Sequence, residues 1–192
     1  LEQEIGEMVI TKPMPCMPVY FWNDIDNVRY KKSYFENYNN RWKHGDWMQI
    51  TNNKGIIIYG RSDATLNKGG VRLGTSEIYK NIEGIHEIED SIIVCLDLPL
   101  GKQFMPLFIK TNSDLDDTLK KKIKNILRKN CSPRHVPDEI YKIPDIPYTI
   151  SGKKMETPIK KILMGVDVKK AITVDAMKNP KIVDFFIEFK KL

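Results

Sequence analysis

Residues 147–153 read Pro-Tyr-Thr-Ile-Ser-Gly-Lys, and this run is the most informative in the chain. It is a flexible turn of threonine, serine and glycine that ends in Lys153, just ahead of a predicted basic helix. A lysine held out on such a turn can reach an anion that the loop itself does not enclose. The run therefore indicates a cation placed to contact a bound anionic ligand.

A second run, residues 60–78, reads Gly-Arg-Ser-Asp-Ala-Thr-Leu-Asn-Lys-Gly-Gly-Val-Arg-Leu-Gly-Thr-Ser-Glu-Ile. Together the two runs resemble those of the acyl-CoA synthetases and related adenylate-forming enzymes. In that family the upstream run is similar to the hinge and nucleotide-arginine segment, and the downstream run to the catalytic-lysine loop. The resemblance implies an ATP-dependent ligase whose substrates are an organic acid, ATP with Mg²⁺, and CoA.

Length and composition favour one domain, or a small domain with part of another. The 192 residues carry a net charge of +6, and their hydrophobic fraction of 41% is enough for a packed core. No apolar run approaches the ~20 residues needed to span a bilayer. The chain begins with Leu1 inside a strand-like pattern, which suggests a fragment whose N-terminal part is missing.

The three cysteines, Cys16, Cys95 and Cys131, are widely spaced and form no CxxC pair. Their spacing predicts no disulfide framework, and reduced thiols of a cytosolic protein are the simplest interpretation. The histidines are scattered without metal-ligand spacing, so no metal site is predicted. The positive charge could attract nucleic acid, but a polyanion such as ATP or CoA needs only a local basic cluster.

The hydrophobic pattern predicts a small α+β domain from about residue 63 to residue 192. Its order is helix, strand, strand, helix, strand, helix, which gives a short mixed or antiparallel sheet flanked by helices. Strands are predicted at 92–96 and 105–109 as an antiparallel pair, and again at 140–143.

Two helices of this domain have predicted starting points. Thr75, Ser76 and Glu77 can cap the first helix, because side-chain oxygens at a helix start satisfy free backbone N–H groups. Ser113 is predicted to open a second, amphipathic helix, whose apolar face includes Leu119 and whose lysine-rich face is predicted to be solvated.

Residues 1–62 are interpreted as the β-rich end of a larger N-terminal AMP-binding domain, with strands at 7–12 and 55–59. The aromatic residues between Tyr20 and Trp42 are predicted to pack onto a body that lies outside this chain. The resemblance implies that residues 63–192 are the family's mobile C-terminal domain, extended here by a tail.

Lys153 is the predicted catalytic residue. An ammonium group beside a carboxylate and an α-phosphate offsets their mutual repulsion while the acid attacks ATP, and such stabilisation is usually the largest catalytic contribution. The resemblance implies that this lysine is needed for adenylation. Its neighbour Lys154 is predicted to be a solvated charge.

Asp46 and Arg61 are candidate ribose-binding residues. A carboxylate can accept two hydrogen bonds from the vicinal hydroxyls of a ribose, although Gly-Asp is also a common turn pair. Arg61 follows a predicted strand, and its planar guanidinium suits the same ribose or a phosphate. The family has a similar Gly-Asp followed by a short hairpin that ends in Gly-Arg, and its aspartate binds the ribose of ATP. The resemblance implies the same role for Asp46.

The resemblance assigns roles to five further residues. Asp63 is similar to the hinge residue about which the C-terminal domain turns, and Arg72 to an arginine that contacts nucleotide phosphates. Gly69 and Gly70 allow close backbone approach to a ligand, and in the family this loop lines the channel for the pantetheine arm of CoA. Arg128 corresponds to an arginine that contacts CoA, with a helix-dipole role as the alternative.

Three features resemble one branch of the family, the acetoacetyl-CoA synthetases. They are the run at 67–79, the Thr-Lys-Pro and Phe-Trp-Asn-Asp segments at 11–13 and 21–24, and the tail at 166–192. Acetoacetate, ATP and CoA are then the implied substrates. The family's phosphate loop and acid pocket are absent from these residues, so the chain is expected to need its missing N-terminal domain for activity.

Other functions stay open from the sequence. A synthetase for acetate, propionate or longer acids would share most of the same motifs. A non-catalytic binding or regulatory module is a second alternative. A basic nucleic-acid-binding domain is a third, but it predicts base-stacking aromatics beside the lysines, and the lysine-rich helix has none.

Overall fold

The polypeptide divides into two structural units between Asp63 and Ala64. The computed structural model describes residues 3–189, so unit 1 is described from Gln3 to Asp63 and unit 2 from Ala64 to Phe189. Each unit has its own β-sheet and its own set of packed apolar side chains. No helix in the described range has both the length and the apolar character needed to cross a membrane.

Unit 1 is built on an antiparallel sheet with the strand order β1-β2-β3. Its elements are β1 (Gly6–Ile10), α1 (Val28–Tyr34), β2 (Trp42–Ile50) and β3 (Ile56–Arg61). The strands predicted at 7–12 and 55–59 are confirmed. The aromatic and polar pattern of residues 42–50 does not predict the central strand, because Trp, His and Gly interrupt any simple alternation.

An aromatic cluster ties α1 to the start of β2. It consists of Phe21, Tyr30, Tyr34, Phe35 and Trp42. The rings of Tyr34 and Trp42 stack with their centroids 3.8 Å apart, and the indole is 8% exposed. The members of the cluster thus pack on one another, and the expected contact with a body outside the chain stays a prediction.

Unit 2 contains the remaining elements. In chain order they are β4 (Leu66–Lys68), β5 (Val71–Leu73), α2 (Thr75–Ile82), β6 (Asp90–Ile93), β7 (Leu96–Asp97), β8 (Gln103–Phe104), β9 (Pro106–Lys110), α3 (Asp117–Asn130), β10 (Glu139–Lys142), α4 (Glu156–Leu163), α5 (Val168–Ala171) and α6 (Ile182–Phe189). Two small hairpins, β4-β5 and β7-β8, stand beside a three-stranded sheet.

The three-stranded sheet of unit 2 has the order β10-β9-β6 and is mixed. Strand β6 runs antiparallel to β9, as predicted, and β10 runs parallel to it. Successive side chains of a strand point to opposite faces, and here both faces are covered. Leu107 and Ile109 belong to one apolar cluster with α2 and α3, while Phe108 belongs to the other with α4 and α6.

The tail of the chain is part of the second cluster. Ile172, Met177, Ile182 and Phe186 are all buried there, and the ring of Phe186 lies edge-on to that of Phe108 with 5.1 Å between centroids. Residues 166–189 therefore complete the core on one face of the sheet. The last three residues of the predicted tail lie outside the described range.

Two helix starts differ from the sequence prediction. Helix α2 has Gly74 at its N-cap, without a side-chain capping bond, and Thr75 is buried as its first residue. Helix α3 begins at Asp117, not near Ser113, because Asp116 provides the cap by accepting a hydrogen bond from Leu119 N at 2.8 Å. Several cap-forming residues precede α3, and Asp116 is the one that forms the capping bond.

The lysine-rich face of α3 is exposed at Lys121, Lys122 and Lys129, as predicted, and two lysines of the helix also contact other parts of unit 2. Lys122 forms an ion pair with Glu87 at 2.7 Å, and Lys124 donates a hydrogen bond to Asp138 O at 2.8 Å. These contacts fasten α3 to the rest of unit 2 through its polar side.

Replacing Asp116 by alanine should lower the stability of unit 2 by about 1 kcal/mol, because the N–H of Leu119 loses its capping acceptor. Asp114→Ala is the matched control, since it removes the same charge two residues before the cap. Urea unfolding followed by circular dichroism measures both. Equal losses in the two variants would show that charge, and not the capping bond, sets the effect.

Candidate active site

The lysine loop, residues 148–154, is a small hairpin whose shape follows from its sequence. Tyr148 and Lys154 pair across its base. Thr149 N donates to Lys153 O at 2.9 Å, and Thr149 Oγ1 accepts from Lys153 N at 3.0 Å. Gly152 has a φ of 78°, which favours glycine at that position. Threonine and glycine thus form the turn and leave Lys153 exposed at its end.

Lys154 is not the solvated charge that the sequence predicts. Its ammonium lies 2.8 Å from Asp90 Oδ1 and donates to Ser91 O at 2.7 Å. It also lies 4.0 Å from the centroid of the Tyr79 ring. The side chain is 16% exposed, so two adjacent lysines in the sequence have opposite environments.

Asp46 and Arg61 are brought together by strand pairing. They are register partners in the antiparallel pair of β2 and β3. One oxygen of Asp46 lies 2.5 Å from His44 Nδ1, and the side chain is 19% exposed. The pairing therefore places Asp46 and Arg61 opposite each other at one end of the sheet of unit 1.

The guanidinium of Arg61 forms a bidentate pair with Asp63. Nε and Nη2 donate to the two carboxylate oxygens at 2.9 and 2.8 Å. Burial opposes the charge on Asp63, but the hydrogen bonds and charge of Arg61 outweigh it and lower the pKa of the carboxyl. Both side chains are about half exposed, and exposed pairs of this kind contribute little stability. The pair joins Arg61, a candidate ribose-binding residue, to Asp63, the candidate hinge residue.

Glu7 is an organising residue that sequence reasoning misses. Its Oε1 accepts hydrogen bonds from Gly45 N and from Ser62 Oγ, both at 3.1 Å. Ser62 N in turn donates to Gly45 O at 2.9 Å. One carboxylate from β1 therefore fixes the backbone beside Asp46 and Arg61. A sequence pattern could not reveal this, because the three strands meet only in the folded sheet.

Gly69 and Gly70 form the exposed turn of the β4-β5 hairpin, with φ angles of 59° and 77°. Side chains hold the first of them on both sides. Gly69 N donates to Gln103 Oε1 at 2.7 Å, and Gly69 O accepts from Arg134 Nη1 at 2.9 Å. The turn is thus fixed to unit 2 while its outer surface stays accessible.

The two candidate arginines of unit 2 lie on different elements. Arg72 is exposed on β5, paired in register with Asn67, and so shares the hairpin of Gly69 and Gly70. Arg128 is exposed in the last turn of α3, where its Nη1 lies 3.3 Å from Asn125 Oδ1. The hairpin therefore gathers three of the candidates, and Arg128 and Lys153 each stand on a separate element.

A hydrogen-bonded chain of Ser132, His135 and Glu77 is also absent from the sequence prediction. His135 Nδ1 lies 2.9 Å from Ser132 Oγ, and Nε2 lies 2.8 Å from Glu77 Oε2. Ser132 Oγ also accepts from Arg134 N. The buried imidazole thus joins α2 to the turn that carries Arg134. Within residues 3–189 no three His, Cys, Asp or Glu side chains could hold a metal ion together.

Comparison with known proteins identifies relatives that include acetoacetyl-CoA synthetases. The chain matches no protein-family model. It is 41% identical over 191 residues to an acetoacetyl-coenzyme A synthetase of Rhizobium meliloti (strain 1021). The matched region covers 98% of this chain and 29% of that protein. Its structure matches the acetoacetyl-CoA synthetase of Streptomyces lividans with a TM-score of 0.91 and 41% identity, over 100% of this chain and 29% of that one.

A more distant structure shares the fold alone. An anthranilate CoA ligase in complex with anthranoyl-AMP aligns with a TM-score of 0.67 and 15% identity, over 80% of this chain and 29% of that one. The α+β fold class predicted from the sequence is confirmed. The chain spans less than a third of the length of the relatives it matches.

Proposed function

Because the chain belongs to the acetoacetyl-CoA synthetase family, we propose that the full-length protein is an acetoacetate–CoA ligase. It joins acetoacetate to ATP, giving acetoacetyl-adenylate and pyrophosphate, and then transfers the acetoacetyl group to the thiol of CoA with release of AMP. The observation that carries the proposal is the 41% identity over 98% of the chain to a relative of that name. The activity belongs to the full-length protein, since the relatives are more than three times as long.

In the proposed first half-reaction, Lys153 contacts the carboxylate of the acid and the α-phosphate of ATP. Both groups are anionic and repel one another as the carboxylate oxygen attacks phosphorus. The exposed position of Lys153 at the end of a hydrogen-bonded turn supports this role. Mg²⁺ is assigned to the phosphates of ATP, because this ion is usually bound through substrate phosphates and few protein carboxylates.

Asp46, Arg61 and Arg72 are the proposed nucleotide-binding residues. Asp46 and Arg61 suit the ribose hydroxyls, because adjacent acceptor and donor groups match a vicinal diol. Because Arg61 also pairs with Asp63, the same guanidinium contacts the proposed hinge residue and is proposed to contact the nucleotide. Arg72 is proposed to contact the phosphates.

In the proposed second half-reaction, unit 2 reorients about Asp63. Lys153 leaves the adenylate, and the turn of Gly69 and Gly70 guides the pantetheine arm of CoA. Arg128 is proposed to bind the phosphates of CoA. The thiol sulfur then attacks the acyl carbon and its proton passes to solvent, while AMP leaves with the electrons of the broken acyl–oxygen bond.

Pyrophosphate exchange into ATP by the full-length protein should depend on acetoacetate. We expect the exchange to be at least about tenfold faster with acetoacetate than with acetate, since pocket contacts discriminate small acids by such factors. Isotope exchange measures it directly. Faster exchange with acetate or propionate would keep the ligase chemistry and overturn the assigned acid, and no exchange with any acid would favour a non-catalytic module.

The same proposal places the full-length protein in the cytosol. Cys16, Cys95 and Cys131 are free thiols. Burial raises the pKa of the Cys95 and Cys131 thiols, which keeps them protonated and unreactive. Free thiols are typical of a reducing compartment. The proposed partners are acetoacetate, ATP, CoA and the rest of the full-length protein.

A further inference from the structure

Both ends of the lysine loop converge on one carboxylate. Tyr148 and Lys154 face each other across the base of the loop. Tyr148 Oη donates to Asp90 Oδ2 at 2.8 Å, and Lys154 Nζ lies 2.8 Å from Asp90 Oδ1. Asp90, Tyr148 and Lys154 together are called the Asp90 clamp below. Each oxygen of Asp90 thus holds one side of the loop whose end carries Lys153.

The base of the clamp is part of the sheet of unit 2. Asp90 is the first residue of the edge strand β6, where it pairs with Lys110 of β9. Its Oδ1 also accepts from Ser91 N at 2.8 Å, and Ser91 is 2% exposed. The carboxylate is therefore held by a packed strand. Its contacts with Tyr148 and Lys154 fix the loop relative to that strand.

Tyr79 of α2 completes the surroundings of Lys154. Its hydroxyl donates to Glu156 Oε1 at 3.1 Å and accepts from Ile93 N at 3.2 Å. Glu156 is the first residue of α4, two residues after Lys154 at the end of the loop. The Tyr79 ring, Ser91 O and Asp90 thus surround the ammonium group. Burial and the hydrogen bond to Asp90 raise the pKa of Tyr148, so its phenol keeps the proton that it donates.

A partly buried ion pair is an unusual way to fill this space. Removing two charges from water has a large free-energy cost. Well-packed apolar residues of similar volume often stabilise a protein at least as much as such an ion pair does. Unlike apolar packing, the hydrogen-bonded pair fixes the orientation of the Lys154 side chain, since hydrogen bonds specify both distance and angle. The residue held in this way is the immediate neighbour of Lys153.

We propose that Asp90, Tyr148 and Lys154 are positioning residues, which fix the base of the lysine loop and thereby place the Lys153 ammonium for adenylation. The inference rests on the proposed function of Lys153. The clamp residues act through the loop and contact no substrate. A displacement of about 1 Å at a reacting group can lower a rate by ~10²-fold, so the loop needs a firm base.

The test uses three variants of the full-length protein. Tyr148→Phe and Lys154→Met each delete one side of the clamp at nearly constant volume, and Lys154→Arg keeps the charge. We expect Tyr148→Phe and Lys154→Met to lower the kcat of acetoacetate-dependent pyrophosphate exchange by about 10- to 100-fold. KM for ATP should stay near the wild-type value. Thioester formation from supplied acetoacetyl-adenylate should be unchanged, and Lys154→Arg should recover part of the exchange.

Two controls make the result specific. Lys122 lies on α3, and Lys122→Met breaks its ion pair with Glu87. Both half-reactions should then proceed at the wild-type rate. Lys153→Ala in the same assays tests the proposed function itself. Thermal unfolding of every variant identifies a simple loss of folding.

A selective loss of exchange with intact thioester formation supports the Asp90 clamp. Wild-type exchange in Tyr148→Phe and Lys154→Met, with exchange lost in Lys153→Ala, overturns the inference and leaves the proposed function standing. Equal loss of both half-reactions with a lower Tm overturns it too, because it shows a general structural role. Exchange that survives in Lys153→Ala removes the proposed function and the inference with it.

Discussion

Replacing Lys153 by alanine in the full-length protein should reduce acetoacetate-dependent pyrophosphate exchange by at least about 10²- to 10³-fold. That is the loss typical of deleting one group that stabilises transition-state charge. In its proposed role the ammonium, carried at the end of a hydrogen-bonded turn, offsets the repulsion between carboxylate and α-phosphate, and the alanine variant would leave that repulsion uncompensated. Exchange of labelled pyrophosphate into ATP measures the effect.

Thioester formation gives the contrasting half of this prediction. Lys153→Ala should convert supplied acetoacetyl-adenylate and CoA to product at close to the wild-type rate, because the lysine is not assigned to that step. Lys161→Ala is the matched control, since Lys161 is exposed on α4 just after the loop. It should leave both half-reactions intact. If Lys153→Ala slowed both half-reactions equally, the residue would have a structural and not an adenylating role.

The lysine loop is the part of the candidate site that the sequence predicts best. Its turn is closed by contacts within seven residues, including those of the Thr149 hydroxyl and the positive φ of Gly152, although Tyr148 and Ile150 also form backbone hydrogen bonds with residues 176–178 of the tail. Local chemistry of this kind is written directly in the sequence, because each residue type has few ways to satisfy a tight turn. The exposure of Lys153 follows from the same local contacts.

Lys154 shows where local reasoning fails. Its burial depends on Asp90, Ser91 and Tyr79, which come from β6 and α2 far earlier in the chain. A lysine beside another lysine is normally solvated, and a buried ammonium is expected only where a partner is present. The sequence contains Asp90 but does not indicate that β6 passes beneath the loop.

The candidate residues of unit 1 show the same limit in a different form. Asp46 and Arg61 can be selected from the sequence, yet their register pairing, the carboxylate of Glu7 and the bidentate contact with Asp63 cannot. Register depends on where β2 begins, and the aromatic cluster that positions its first residue is a tertiary feature. Residue types were therefore predictable, and their mutual contacts were not.

The fold of unit 2 was predictable because its apolar pattern is strong. The buried runs that form β6 and β9 have the length and apolar character of strands covered on both faces. The parallel pairing of β10 with β9 is harder to predict, since it depends on α3 crossing the sheet. The role of the tail as a core layer also requires the structure.

Replacing Phe186 by alanine should destabilise unit 2 by about 3–5 kcal/mol, the range typical of removing a fully buried phenylalanine. Phe186 is 0% exposed, and its ring packs edge-on against Phe108 and Phe185, with centroids 5.1 and 5.5 Å apart. The truncation leaves a cavity between α6 and β9. The expected readout is faster amide hydrogen exchange along β9 and α6, with a lower unfolding temperature.

Phe185→Ala tests whether the loss of stability comes from the buried ring of Phe186 or from any truncation on α6. Phe185 is the neighbouring aromatic residue on the same helix but is only half-buried, so its truncation removes less apolar contact and should cost clearly less stability. Phe186→Leu should recover much of the loss, because it refills most of the cavity. Equal effects of Phe185→Ala and Phe186→Ala would contradict the placement of α6. Faster exchange confined to α6, with β9 unaffected, would show that the tail packs on the sheet without completing its core.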